Sequence, residues 1–305
     1  MRDESKPRRP QGYATIRMRC AGICNTDLEL LRGYYGFSGT PGHEFVGEVV
    51  ASGDRNLLGR RVVGEINLAC RKCAWCRKGL GRHCPTRKVL GIVNHPGAFR
   101  EYLTLPEANL HVVPANLSDE IAVFAEPVAA ACEILDQASI PKSERVAVLG
   151  DGKLGLLVSQ VLQGSGLKVH QFGRHSAKLA IAKRAGVSTE IAGKTLPVAE
   201  YNYVVDATGS REGLKLAVQM TRPRGTVFMK STVHGDVAID TAPIIVNEIT
   251  LVGSRCGRFE PALNLLSKGA IRVGDMISEE YPLASAKSAF ATAGKRGVLK
   301  VLLRG

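Results

Sequence analysis

Residues 13–20, Tyr-Ala-Thr-Ile-Arg-Met-Arg-Cys, alternate between apolar and polar positions and predict a strand with one buried face. Val46–Ala51 and Arg60–Ile66 are β-rich runs with glycine at or near their ends. Between the first strand and these runs, a short helix fits Asp27–Arg32. Leu28 and Leu31 would share a face, with Thr26 as N-cap and Gly33 as the stop. Up to Leu117 the chain therefore reads as strands and loops.

The pattern changes there. Ser118 can cap a helix that runs through Glu126 to about Gln137, and Pro127 predicts a kink or a break within it. Strand Arg145–Leu149, a glycine-rich turn, helix Leu154–Gln163, strand Lys168–Phe172 and helix Ala177–Ala185 follow, with Gly186 in the position of a C′ glycine. Further strands fit Tyr203–Asp206, Thr226–Lys230 and Ile249–Val252. Alternating strands and helices of this kind predict an α/β fold, a parallel sheet with helices on both faces. After Phe259 come a helix at Pro261–Ser267, a second near Ala284–Ala293 and a last strand at Val298–Leu303. The expected divisions are 1–117, 118–258 and 259–305.

Composition is that of a globular protein: 305 residues, 45% hydrophobic and 23% charged. No apolar run reaches the roughly 18 residues of a membrane helix. Met1–Pro10 is charged and lacks an apolar h-region, so no signal peptide is read there. Cysteines in such a chain are expected reduced, in the cytoplasm. The net charge of +13 points to an anionic partner. Much of it is local, with eight Lys or Arg and no acid from Cys70 to Arg100.

Val146-Ala147-Val148-Leu149-Gly150-Asp151-Gly152-Lys153-Leu154-Gly155 is a buried strand that ends in G-x-G-x-x-G and opens a helix. Gly150 permits the tight turn, Gly152 lets backbone approach a pyrophosphate, and Gly155 lets helix and strand pack closely. The N–H groups opening the helix at Lys153 and Leu154 would face the anion. Sites for NAD place an acid at the end of the second strand, about 20 residues on. Here that end reads Gly173-Arg174-His175-Ser176, and no acid stands between Asp151 and Glu190. Arg174 offers a planar fork for a phosphate, with Ser176 and Lys178 in support. NADP(H) is therefore expected over NAD(H).

Two further groups carry metal chemistry. Cys70, Cys73, Cys76 and Cys84 have the spacing C-x2-C-x2-C-x7-C. Four thiolates in a short loop can close a tetrahedral zinc site. An iron–sulfur cluster shares the first spacings but not the last. A nucleic-acid module would use the basic residues on phosphates, yet only Trp75 offers an aromatic ring there. A structural zinc is the simplest of the three. Cys24, His43 and Glu44 are donors of mixed type, which suit an open catalytic zinc site.

In order along the chain, Cys24-x-Thr26-Asp27, Gly42-His43-Glu44, the four-cysteine lobe and the Gly150–Gly155 loop resemble the zinc-containing medium-chain dehydrogenases/reductases. The threonine, sorbitol and glucose dehydrogenase branch is nearest in style. The resemblance implies a GroES-like β-rich catalytic domain plus a Rossmann doubly wound domain, with the C-terminal segment returning to the first. It implies two zinc ions per chain, one catalytic and one structural. Cys24 and His43 would bind the catalytic zinc, with Glu44 or Glu126 as the third ligand. Asp27 would orient His43, and Thr26 would pass the substrate proton. Glu29 stands where many relatives carry a relay histidine. Thr208-Gly209 would lie on the nicotinamide side. Tyr34, Tyr35 and Phe37 are candidates for the pocket wall. The implied activity is alcohol–carbonyl interconversion on a small-molecule substrate by a homo-oligomer, dimer or tetramer, without nucleic-acid or membrane partners.

Overall fold

The computed structural model describes residues 5–33, 36–193, 195–233 and 235–305. It divides into two compact units. The first is Met1–Glu126 with Ala262–Ser267 and Met276–Gly305, and the second is Pro127–Pro261 with Lys268–Asp275.

The first unit is built on a seven-stranded sheet around Tyr13–Ile23, the longest strand described. That strand pairs antiparallel with Glu44–Ala51, with Tyr102–Pro106 and with Lys300–Arg304. Its alternating face is buried at Ala14, Ile16, Met18 and Cys20, as the sequence pattern predicts. The chain's last strand reaches the first because its run Val301-Leu302-Leu303 is fully buried, and it lies between Tyr13–Ile23 and Ile277–Pro282.

The second unit holds six parallel strands in the order Ser188–Ile191, Lys168–Gly173, Arg145–Leu149, Tyr201–Asp206, Thr221–Met229, Thr250–Gly253. Numbered by chain position this is 3-2-1-4-5-6, the doubly wound dinucleotide-binding order. A core of Ala147, Leu149, Phe172, Tyr201, Val204, Ala217 and Val227 lies against it. Strands that are apolar over their length, such as Val146–Leu149, are buried on both faces.

The boundary differs from the sequence expectation. It falls after Glu126 rather than after Leu117. The helix Asp119–Ala122 is tied to the first unit, since Asp119 bridges Arg19 at 2.7 Å and Arg61 at 2.8 Å and Glu120 pairs with Arg304. Lys268–Asp275, expected with the tail, belongs to the second unit. There Arg272 N–H donates to Gln160 Oε1 and Asp275 pairs with Arg184. Pro127 marks the expected break. Two helices result, Asp119–Ala122 and Ala125–Gln137, and Pro127 sits in the first turn of the second, where its missing N–H costs no helical bond.

Candidate functional site

The helix Asn25–Leu31 begins one residue earlier than the Thr26 cap predicts. Cys24 is its N-cap, and Asp27, at the third helical position, accepts the Cys24 N–H through Oδ2 at 2.8 Å. The face also differs from expectation: Asp27 and Leu30 are buried, and Leu31 is largely exposed. Asp27 is fully buried and has a second task. Its Oδ1 accepts the Gly42 N–H at 3.0 Å and faces His43 Nδ1 at 3.3 Å. The latter is an ion-pair distance without full hydrogen-bond alignment, and Nδ1 has no other partner. One carboxylate thus fixes the turn at Cys24 and the entry to the next strand. With Nδ1 turned to Asp27, Nε2 is the ring's ligand atom.

Strand register completes the cluster. Gly22 pairs with Glu44, so the end of the first strand lies beside the start of the second. Donor atoms of Cys24, His43 and Glu44 all lie within 4.8 Å of one another. Burial opposes a charge on His43, yet Asp27 and Cys24 outweigh it and hold the imidazole well above the ordinary histidine range. Glu44 Oε1 is buried and has no hydrogen-bond partner. A buried, electronegative pocket with an unpartnered carboxylate oxygen and a thiol fits a borderline-soft cation such as zinc.

Sequence reasoning missed the residue that holds the other oxygen. Lys300 Nζ ion-pairs with Glu44 Oε2, and both side chains are almost fully buried. Burial disfavours the ammonium, but Glu44, Cys24 and Glu126 outweigh it and raise its pKa. Gly22 makes room for the pair, since a Cβ there would lie 2.4 Å from Glu44 Oε2 and 3.3 Å from Lys300 Cδ. A lone lysine beside the apolar run Val301-Leu302-Leu303 was the available signal. Glu126 is half-buried and acts on Lys300 through its charge, but it is not among the three clustered donors. Thr26 Oγ1 is 3.9 Å from Cys24 Sγ, at the edge of the cluster. Glu29 is not brought in: its carboxylate pairs with Arg32 at 2.7 Å. Tyr34 and Tyr35 lie outside the described residues.

The four cysteines of the lobe also converge. Sγ–Sγ separations are 3.5 Å for Cys73–Cys76 and 3.9 Å for Cys70–Cys76 and for Cys73–Cys84. A tetrahedral four-thiolate zinc site, with Zn–S of about 2.3 Å, requires about 3.8 Å. Backbone N–H groups of Lys72 and Cys73 hold the Cys70 thiol below its ordinary range, which favours the thiolate that binds metal. Several of the lobe's basic residues serve the scaffold. Arg71 donates to Asn109, Arg77 to the Lys72 carbonyl and Arg87 to the Cys84 carbonyl.

In the second unit the glycine loop lies between its strand and helix as the motif requires. Gly150 has φ +111°, and a Cβ there would meet Ala207 O at 2.5 Å. A Cβ on Gly155 would meet Gly150 O at 2.3 Å. Gln171, wholly buried, donates to Gly150 O at 2.8 Å and accepts from Ser159 Oγ, which straps the loop to the second strand. Gly152 is the N-cap of helix Lys153–Gly164 and has open space at its Cβ position, so backbone N–H groups face outward for an anion. Thr208 is held by Asp206, which accepts from its N–H and its hydroxyl, and Gly209 N–H donates to Ser231. Gly173, Arg174, His175, Ser176 and Lys178 form the turn into helix Ser176–Arg184. An acid does reach this turn, although none lies in it. Asp151, from the glycine loop, accepts the N–H groups of Arg174 and His175 at 2.7 and 2.6 Å.

A zinc-type three-donor cluster, a four-thiolate lobe and a dinucleotide loop define a zinc-dependent oxidoreductase of the alcohol dehydrogenase type. Residues 10–115 match the family model for the alcohol dehydrogenase GroES-like domain, and 154–268 match that for the zinc-binding dehydrogenases. D-altritol 5-dehydrogenase of Agrobacterium fabrum is 32% identical over 293 residues, covering 90% of this chain and 87% of that protein. A zinc-binding dehydrogenase structure from Sinorhizobium meliloti 1021, bound to NADP, superposes with TM-score 0.90 at 28% identity, over 100% of this chain and 95% of that one. An alcohol dehydrogenase from Escherichia coli CFT073, complexed with NADH, gives TM-score 0.88 at 25% identity, over 98% and 94%. The chain belongs to the zinc-containing medium-chain dehydrogenase/reductase family.

Proposed function

We propose that the protein interconverts an alcohol and its carbonyl compound with NADP(H). Cys24, His43 and Glu44 would hold the catalytic zinc, and Cys70, Cys73, Cys76 and Cys84 the structural one. The observation that carries the reading is Glu44 Oε1, buried and without a partner beside Cys24 and His43. It favours Glu44 over Glu126 as the third ligand. Zinc bound there supplies Lewis acidity, which lowers the pKa of an alcohol and polarises a carbonyl.

The chain's own residues do the rest. Asp27 fixes the His43 tautomer and the turn at Cys24. Thr26, the hydroxyl beside Cys24, takes the substrate proton and passes it outward. Glu29, paired with Arg32, has no part in this relay. The open N–H groups at Gly152–Leu154 hold the pyrophosphate, and Arg174, Ser176 and Lys178 meet the 2′-phosphate. Thr208 and Gly209 support the nicotinamide side.

A polyol or sugar-derived alcohol is the substrate class that the altritol enzyme brings to this chain. We assign the protein to the cytoplasm, where eight unpaired cysteines stay reduced. It would act as a homo-oligomer. Among the described residues the Thr250–Gly253 strand leaves a free sheet edge near Ile245 and Val246, which are 72% and 79% exposed. The test is a turnover screen of polyols, amino alcohols and aldehydes with both cofactors. Oxidation of a polyol with NADP⁺, abolished in Cys24→Ser, supports the reading; full turnover in that variant overturns it.

A further inference from the structure

Asp151 stands between the first two glycines of the cofactor loop, yet its carboxylate serves the neighbouring turn. Oδ2 accepts the N–H groups of Arg174 and His175 at 2.7 and 2.6 Å and lies 3.0 Å from His175 Nδ1. The residue is 8% exposed. Gly173 is what admits it: a Cβ at 173 would stand 2.6 Å from Asp151 Cβ and 2.8 Å from Oδ2. The fit is therefore built from both sides, a glycine on one strand end and an acid on the other.

The consequence concerns what is left for a ligand. The two backbone donors of the turn are taken by Asp151, so they are not available to a phosphate. The side chains of Arg174, Ser176 and Lys178 have no hydrogen-bond or ion-pair partner among the described residues, and Arg174 and Ser176 are exposed. The turn presents three free side-chain donors on a backbone fixed from beneath. A 2′-phosphate can be met by these side chains alone, whereas a dinucleotide with a free 2′-hydroxyl makes little use of them.

We propose that Asp151 is a positioning residue for cofactor choice: by locking the Arg174–His175 turn it sets the side-chain clamp that favours a 2′-phosphorylated dinucleotide. This rests on the NADP(H) reading above. The competing effect is repulsion, since a carboxylate beneath the clamp also opposes a phosphate. Two backbone N–H groups and the His175 ring surround that carboxylate and spread its charge, so positioning dominates.

The two accounts predict opposite signs. Fluorescence titration of the full chain with NADPH and with NADH gives both dissociation constants for wild type, Asp151→Ala and Asp151→Asn. Positioning predicts that Asp151→Ala weakens NADPH binding about tenfold or more, the size of a lost charged hydrogen bond, and NADH binding by less than about threefold. Asp151→Asn keeps one acceptor oxygen and should lie between. An equal loss for both cofactors makes Asp151 merely structural and overturns the proposal. Tighter NADPH binding in Asp151→Asn overturns it in favour of repulsion. A wild type that prefers NADH overturns the NADP(H) reading, and the proposal with it, before any variant is compared.

Discussion

Lys300 and Glu44, 256 positions apart in the chain, form an ion pair from which water is almost wholly excluded. The pair joins the two strands that flank Tyr13–Ile23 in one sheet, and Gly22 on that central strand gives it space. The lysine neutralises one oxygen of Glu44 and leaves the other for a cation. The ammonium lies over the Phe124 ring, 5.4 Å from its centroid.

Removing Lys300 should therefore destabilise the fold before it affects chemistry. Lys300→Met leaves the Glu44 carboxylate without its counter-charge, a loss of about 3–5 kcal/mol for a buried pair broken on one side. Adding Glu44→Gln to Lys300→Met should recover part of it, because the stranded charge is gone. Zinc should also shrink the loss, since the ion itself compensates Glu44. Denaturant unfolding of the three proteins, with and without zinc, checks this. A change below about 1 kcal/mol in the zinc-free single variant refutes the role.

The fold was legible where one pattern repeats over a whole element. The alternation of 13–20 and the apolar run at 146–149 located strands because burial of one or both faces dictates them. The clustered donors Cys24, His43 and Glu44 were legible as donor types close in sequence. What escaped depends on pairing between distant segments. Lys300 becomes meaningful only when the last strand lies on the first. Asp151 acts on a turn 23 residues ahead because Gly173 admits it. The domain boundary moved because Asp119 and Glu120 find arginines in the first sheet, which no local signal announces.

Thr26 should prove a proton carrier and not a zinc ligand. Thr26→Val removes the hydroxyl but keeps the shape, so zinc content should stay at wild-type level while turnover falls by about 10²–10⁴, the usual share of acid–base catalysis. Thr26→Ser should retain most of the activity. Metal analysis beside steady-state rates separates the two effects; an unchanged rate in Thr26→Val removes Thr26 from the relay.

Acid stability should report on Glu120. The Ser118 hydroxyl, the residue's own N–H and Arg304 lower its pKa from 4.5 to about 2. A carboxyl depressed on folding stabilises the native state above its unfolded pKa, and this stabilisation disappears as pH falls through the folded value. Wild type should thus melt above Glu120→Gln at pH 6, and the gap should close between about pH 4.5 and pH 2. Because the pair is partly exposed, the gap should also narrow in high salt. Melting curves across that range, at low and high salt, decide it; a gap that persists at pH 2 contradicts the assignment.

The two proposed metal sites should separate by variant. The lobe would bind through four thiolates in a short loop with two-residue and three-residue strands, Asn67–Leu68 and Lys88–Leu90, which have little core of their own. Metal binding there is folding energy for the loop. Cys24 and His43 stand just beyond two strand ends of a sheet whose core is complete without metal. Cys24→Ser and His43→Ala should therefore each keep one zinc per chain, a wild-type melting profile to within a few degrees, and no turnover. Cys73→Ser should lose the other zinc and unfold the lobe, visible as faster proteolysis between Cys70 and Lys88, while the cluster at Cys24 still binds its ion. Zinc content, melting and limited proteolysis on the same preparations test the division. If Cys24→Ser lost both ions or exposed the lobe, the two sites would be one cooperative unit, and the separate assignment of a catalytic and a structural zinc would fall.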